Sequence, residues 1–486
     1  MAFGAQRLLI GFIAILIVLS IVGYGFLYME ISKVNRGLEK TSEKVNSVGE
    51  SVDALRAEVA SLRNEAVTKE SLEGLKSEIE ALSSQLDALR NSAATVKDLE
   101  SLAAKVAELS SQLEVLSTRI EEAGRTSEEA IKTVEELRAS LEEVKRELSK
   151  VSESILFPAE IVDGTGDVVI VPARPERIVS MAPSVTETLY YVGALDKLVG
   201  VDDYSDWPAS VAEAREKGEI ASIGGFWNPS VEAILSLNPD LVIGVASAPP
   251  HRQVKQLLEA YGIPVILLPN ESLDDVKKSL IIVGKATGNV VEAYEALISF
   301  EASVSAARAL LGGAEGVKVA VAVWLEPLFV VGWGNWEHDI IESLGAVNVY
   351  GDESDEKLMG WPMVSVESLL ERAPEVLIVT GHQGITAEDV ISWLESQLGD
   401  AAYEIPAVKE GRVYVIQGAY ADVFARPSPR TALAVYVLLA ILSPQSLGLG
   451  VNDVPSNVNP STLNVIDLLK ERVPEKVYEF LGEALS

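Results

Sequence analysis

The side chains able to carry acid–base, nucleophilic or metal chemistry are few and scattered. The 486 residues include three His, at 251, 338 and 382, with no ligand spacing between them, and no Cys. Without Cys there is no disulfide, thiolate metal site, thiol nucleophile or lipidated Cys anchor. Neither a GlyXaaXaaXaaXaaGlyLys phosphate loop nor a GlyXaaSerXaaGly elbow occurs. Among 72 Asp and Glu no pair is singled out for acid–base work. Each His reads as a surface or capping residue. The sequence therefore predicts no catalytic residue, no metal site and no cofactor, and points to binding rather than reaction.

The net charge of −32 argues against nucleic acid, since phosphate binding draws on a surplus of Lys and Arg. It also argues against a peripheral protein held on anionic lipid, and fits an exposed, self-repelling surface. Composition is uneven along the chain. All seven Trp follow Asp206 and no Pro precedes Pro158, so the first third lacks what a globular core and its turns require.

The first third instead shows two helical patterns. Leu8–Tyr28 is an uncharged, mostly apolar run of 21 residues, enough at about 1.5 Å per residue to cross a hydrocarbon layer of roughly 30 Å. Its end reads TyrGlyPheLeuTyr rather than a small-residue cleavage site, so an uncleaved single-pass anchor is expected, with Tyr24 and Tyr28 at one interface. From Val45 to Ile155 apolar residues recur at spacings of three and four, among them Leu72, Leu75, Ile79, Leu82, Leu86, then Leu99 to Ile120, then Val134 to Val151. Such a seam must be buried against another helix and predicts a long coiled coil. LeuSerSerGlnLeu occurs at 82–86 and again at 109–113, an internal repeat. A continuous helix of about 120 residues would make a rod of roughly 180 Å that pairs with other copies. A hairpin folded back within one chain would be much shorter. Gly74 and Gly124 are the expected hinges.

After Phe157 the period changes. Short apolar runs at 177–181, 197–201, 240–244, 264–268, 318–323 and 376–380 alternate with amphipathic helices, the pattern of parallel α/β layers. Residues 289–311 form one long helical stretch. The expected fold class is two α/β lobes joined by a long backbone helix, preceded by a transmembrane helix and an α-helical coiled coil. The divisions fall at 1–29 for the anchor, 30–156 for the stalk and 157–288 for the first lobe. The connecting helix takes 289–313, the second lobe 314–443, and a C-terminal linker and helix 444–486.

The ordered runs ArgIleValSerMetAlaProSerValThrGluThrLeu (177–189), GlyValAspAspTyrSerAspTrpPro (200–208), AsnProSerValGluAlaIleLeu (228–235), GlyTrpProMetValSerValGluSerLeuLeu (360–370) and AspValPheAlaArgProSerProArg (422–430) resemble the helical-backbone, class III periplasmic binding proteins of ABC importers. Within that family they are most similar to the vitamin B12 (cobalamin) binders. The resemblance implies ligand capture between the lobes, with aromatic contacts from Tyr204, Trp227, Phe329 and Trp361 and a polar pair, Asp422 and Arg426. It also implies that Glu232 and Glu367, one on each lobe, meet arginines of a permease. One position departs from the cobalamin binders, where ValAlaSerAlaProProHis (245–251) stands in place of a segment carrying an aromatic. The ligand thus stays open among a corrinoid, haem or a ferric siderophore. The implied partners are an ABC permease with its ATPase, a small metal-chelate ligand, the membrane through the N-terminal helix, and further copies of the chain through the coiled coil. The implied location is the cell membrane, with the receptor outside. The rival class is structural: a surface-layer stalk or adhesin with a vestigial receptor-like head.

Overall fold

A computed structural model of the protein describes residues 69–91, 96–122, 128–311, 315–355, 358–380 and 384–485. The apolar run Leu8–Tyr28, the seam before Leu62 and Gly124 lie outside the described residues. Among the described residues no helix is long and apolar enough to cross a membrane. The chain divides into two compact units, residues 1–74 with 116–133, and residues 75–115 with 134–486. The described residues of the first unit, 69–74, 116–122 and 128–133, are all helical.

The heptads lie on α1 (Lys69–Asn91), α2 (Val96–Glu122) and α3 (Glu128–Leu156). Within the second unit their seam residues are buried: Ile79, Leu82 and Leu86 on α1, Leu99, Leu102, Val106, Leu109 and Leu113 on α2, and Val134, Leu137, Leu141, Val144 and Leu148 on α3. This one chain covers its own seam. Lys105 Nζ donates to Gln85 Oε1 at 3.3 Å. The two residues are 20 apart in sequence, which along a continuous helix would set them about 30 Å apart. Helices α1 and α2 therefore lie side by side. Over the described residues the helices are folded back, as in the hairpin alternative, rather than extended as a continuous rod of roughly 180 Å.

The receptor begins with an antiparallel hairpin, β1 (Ala159–Val162) and β2 (Val168–Val171). Lobe 1 is built on β3 (Ile178–Ser180), β4 (Leu198–Val201) and β5 (Ala221–Ser222), a two-stranded turn of β6 (Gly224–Gly225) with β7 (Asn228–Pro229), then β8 (Leu241–Val245) and β9 (Val265–Leu268). Its main sheet is all parallel, in the order β5-β4-β3-β8-β9, with Ile178 opposite both Leu198 and Leu241. Lobe 2 contains β10 (Lys318–Trp324), β11 (Phe329–Val330), β12 (Val347–Asn348), β13 (Val376–Val379), β14 (Val413–Ile416) and β15 (Asn457–Val458). Its order is β11-β10-β13-β14-β15, with β12 also beside β10 and only β11 antiparallel. Every residue of β8, β9, β13 and β14 is buried, as expected where helices cover both faces of a parallel sheet.

Seven helices position the site: α4 (Pro183–Tyr191), α5 (Leu273–Thr287), α6 (Val290–Ala309), α7 (Trp336–Ser343), α8 (Ala419–Ala425), α9 (Thr431–Leu442) and α10 (Glu475–Leu485). The long α6 joins the lobes. At its start Asn289 Nδ2 donates to the carbonyls of Val192 and Gly193 at 2.8 and 2.9 Å, while Arg174 donates to Asn289 Oδ1 and to the Thr287 carbonyl. A side chain at Gly284 would meet Ala293 Cβ at 2.4 Å, so α5 and α6 approach as closely as they do because that residue is Gly. All twelve residues of α9 are buried. A helix apolar on every side but only about three turns long reads as a core element. Residues 444–486, separated in the sequence as linker and helix, also belong to this core. Strand β15 extends the lobe 2 sheet, and Val465, Leu469, Phe480 and Leu481 join the cluster that encloses α9.

The N-terminal helices pack on this receptor. Lys145 of α3 pairs with Glu295 of α6 at 2.6 Å, Glu100 of α2 with Lys285 of α5, and Glu114 of α2 with Lys476 of α10. Nitroxide labels at Gln85→Cys and Lys105→Cys in the full chain, read by pulsed dipolar spectroscopy, should give one short distance below about 20 Å. A peak near 30 Å, the span of 20 helical residues at about 1.5 Å each, would restore the rod.

Candidate functional site

The two lobes meet around one buried carboxylate. Glu187 projects from α4 of lobe 1 and is wholly buried. Its Oε1 accepts from Arg430 Nη1 at 2.7 Å and from Arg426 Nη1 at 3.2 Å, and its Oε2 accepts from the Ser428 hydroxyl. All three donors come from the lobe 2 run ArgProSerProArg. Arg430 also donates through Nε to the Ala484 carbonyl at 2.7 Å and lies 4.4 Å over the Trp207 ring. Such a cation–π contact adds to the pairing when it is shielded from water. Trp207 in turn stacks on Tyr191, whose ring also touches Phe480.

Arg426 links this node to the surface. It pairs with Asp206 at 2.7 Å across the lobes and with Asp422, one turn back on α8, at 3.0 Å. Burial disfavours its charge, but Glu187, Asp206 and Asp422 outweigh burial and raise its pKa. Asp422 is raised by burial, with Arg426 acting in the opposite direction.

Tyr204 stands two residues before Asp206, in the loop after β4, and its side chain is 60% exposed. The loop is held from behind by Asp202, which accepts from the Tyr204 backbone N–H at 3.1 Å and from the Ser205 hydroxyl. Asp202 is buried, and burial pushes its carboxyl up to about 6. The Tyr204 ring lies against Gly225, where a Cβ would touch it at 3.4 Å. Next in chain come Phe226 and Trp227. Trp227 is 54% exposed and meets Phe226 edge to face at 5.0 Å. His251 secures this turn. Its Nδ1 accepts from Val245 N–H at 3.1 Å, and its Nε2 lies 3.0 Å from the Phe226 carbonyl, to which it donates as the neutral ring. The expected surface or capping His is thus fully buried, and burial lowers its pKa to about 4. His338 is half-buried against Asn348, and His382 lies outside the described residues.

On lobe 2, Trp361 is half-buried and donates its indole N–H to Glu337 at 2.9 Å. It meets Trp336 edge to face at 5.5 Å, and Trp336 donates to the Phe424 carbonyl between Asp422 and Arg426. Phe329, on β11, pairs with Trp324 and forms an isolated bridge with Met363, two residues beyond Trp361. Of the residues expected at the site, Asp422 and Arg426 are in direct contact. Tyr204 and Trp227 neighbour each other on lobe 1, and Trp361 connects to α8 through Trp336. Phe329 sits on the strand edge of lobe 2, bridged to Met363. Glu232, in the first turn of the helix Val231–Ser236, and Glu367, the residue capping Ser368–Arg372, are both exposed, one on each lobe.

Glu187, Asp206, Ser428 and Arg430 were not singled out in the sequence, although all lie inside the motifs that carried the resemblance. A depression of about 780 Å³ lies elsewhere, between the β1–β2 turn, the end of β9 and α5. Its Lys277, Lys278 and Asp163 are already paired with Asp274, Asp275 and Lys255.

The family model described as periplasmic binding protein matches residues 178–420, the lobe 1 sheet, the helix α6 and the lobe 2 sheet apart from β15. The chain belongs to this family. It is a family of binding proteins and not of enzymes, which accounts for the missing catalytic groups. The vitamin B12-binding protein of Vibrio parahaemolyticus is 26% identical over 260 residues, 54% of this chain and 86% of that one. That of Pectobacterium carotovorum is 29% identical over 278 residues, 57% and 91%. Among solved structures, the periplasmic vitamin B12 binding protein of Vibrio cholerae is 25% identical, covering 57% of this chain and 99% of its own, with a TM-score of 0.47. The periplasmic haem-binding protein of Roseiflexus sp. RS-1 is 26% identical, covering 56% and 99%, with a TM-score of 0.46.

Substituting Glu187→Ala would leave the buried Arg430 guanidinium without its counter-charge, so urea unfolding should show a loss of about 3–5 kcal/mol. A loss below about 1 kcal/mol, the range of exposed pairs, would mean that water replaces the carboxylate and that the node does not hold the lobes.

Proposed function

We propose that this periplasmic binding protein is the extracytoplasmic receptor of an ABC importer and captures a cobalamin-like or other metal-chelate ligand between its lobes. The observation that carries this reading is the meeting of the two motif runs at Arg426, with exposed aromatic planes on these and the neighbouring motif runs. Tyr204 and Trp227 are more than half exposed on lobe 1, and Trp361 is half-buried on lobe 2. Large aromatics normally bury their faces, so rings left uncovered next to an anchored charge cluster suit a flat ligand with polar side arms. Asp422 and Arg426 would supply an acceptor and donors for such arms. The relatives named as vitamin B12-binding proteins support a corrinoid first, with haem and ferric siderophores as the other classes of the same shape. A vestigial head would have no reason to keep these rings in water.

The run Leu8–Tyr28 would hold the chain to the membrane as a single-pass anchor with the receptor outside. Glu232 and Glu367, exposed at the starts of short helices on the two lobes, would meet cationic residues of the permease.

The full chain should quench its Trp fluorescence on titration with cyanocobalamin, haemin or a ferric hydroxamate. Trp361→Ala with Arg426→Ala should weaken that binding by at least about tenfold, or 1.4 kcal/mol. Failure of all three ligand classes to bind would remove the importer reading. Reversing Glu232 and Glu367 to Lys should leave ligand affinity in solution intact while uptake collapses, because rim charges act on association with the partner. Undiminished uptake by the double reversal would remove the docking assignment.

A further inference from the structure

Glu337 is a buried carboxyl that the proposed capture does not use. It lies on the first turn of α7 with 2% of its surface exposed, and among the described residues its side chain has one hydrogen-bond partner, the Trp361 indole N–H. No cation faces it. Burial pushes its carboxyl up to about 8, and the Trp361 N–H offsets only part of that. Burying an acid with a single donor costs more than burying Leu or Met in the same volume. What a carboxyl offers here that an apolar side chain cannot is an acceptor for one indole.

The surroundings are arranged around that hydrogen bond. Asn335 accepts from the Glu337 backbone N–H at 2.8 Å and donates to the Met359 carbonyl at 2.8 Å, clamping the start of α7 to the segment before Trp361. Gly360, at φ +79°, lies so near the Gly334 carbonyl that a Cβ would sit 2.8 Å from it. Trp336 is fully buried, fixed through its own N–H to Phe424, and gives Trp361 an edge-to-face wall. The ring of Trp361 is therefore held on one side by a wall and at its nitrogen by Glu337, and it retains exposed surface.

We propose that Glu337 is a positioning residue: its carboxyl fixes the orientation of the Trp361 ring, and through it the affinity for a flat ligand. This rests on the reading above that Trp361 meets the ligand. An indole lacking its acceptor would rotate about its side-chain torsions, and the ligand would have to order it on binding.

The test uses the full chain with ¹⁵N-labelled Trp side chains, the Trp361 indole resonance being assigned with Trp361→Phe, and cyanocobalamin as the probe ligand. Glu337→Met should displace the Trp361 resonance in the ligand-free protein and weaken binding about tenfold, the worth of one hydrogen bond. Glu337→Gln, which keeps an acceptor of the same shape, should restore both. Trp361→Phe, which keeps a ring but deletes the donor, should weaken binding as Glu337→Met does, so the proposal stays open to refutation should Glu337→Met fold poorly. In a Trp361→Ala background Glu337→Met should add nothing. Undiminished affinity in both Glu337→Met and Trp361→Phe overturns the proposal, as does an equal loss on the Trp361→Ala background. Should the unaltered protein bind no ligand class, the capture reading fails by itself. An unmoved Trp361 resonance in Glu337→Met would then overturn the positioning role separately.

Discussion

A carboxyl group removed from water needs cations or donors around it, and Glu187 finds them in side chains from the opposite lobe. The constraint reaches far into the receptor. Parting the lobes would break the Glu187–Arg430 pair and its hydrogen bonds, so the angle between lobes is restricted by electrostatics as well as by the stiffness of α6. Trp207 under Arg430, and Tyr191 stacked on Trp207, extend the junction with apolar contacts. A receptor joined in this way cannot close far around its ligand. On the proposed reading, affinity would come from a site that is already shaped, and the anchoring of individual rings would matter more than a domain movement.

That organisation explains which parts of the molecule could be read from the sequence. The strands at 178–180, 198–201, 241–245, 265–268, 318–324 and 376–379, and the helix Val290–Ala309, follow from local apolar runs and periods, and they stand where those runs predict. The pairing of Asp422 with Arg426 is also local, four residues apart on one helix face. Glu187 and Arg430 are 243 residues apart, and no local pattern joins them. His251 follows two prolines in what reads as a loop, yet it falls on the buried face of Pro249–Glu259, where the end of β8 and the Phe226 turn need one side chain that accepts and donates. Glu337, in AsnTrpGluHis, has the spelling of an ordinary capped and solvated helix start. Its burial depends on the packing of residues 359–361, which its own period does not encode.

The N-terminal heptads show the same limit differently. An apolar seam specifies that it must be covered, and it does not specify by what. Another copy, a neighbouring turn of the same chain or the flank of the receptor each remove the same area from water. Over the described residues the cover is internal, and this alters the physical problem posed by the stalk. A receptor at the tip of a rod about 180 Å long could not reach a permease in its own membrane. Helices laid against α5, α6 and α10 remove that distance from the part of the chain they occupy.

The relative size of two effects decides what holds those helices in place. Basic residues are scarce in this chain, 40 against 72 acidic ones, and three of them, Lys145, Lys285 and Lys476, pair across the contact between the helices and the receptor. Each pair is partly open to solvent, and such pairs contribute about 0–1 kcal/mol each and weaken further in salt. The buried seam on α2 alone, Leu99, Leu102, Val106, Leu109 and Leu113, removes five large side chains from water at about 1.5–3 kcal/mol each. Apolar burial therefore outweighs the ion pairs in holding these helices, and the three pairs add charged contacts between them and the receptor.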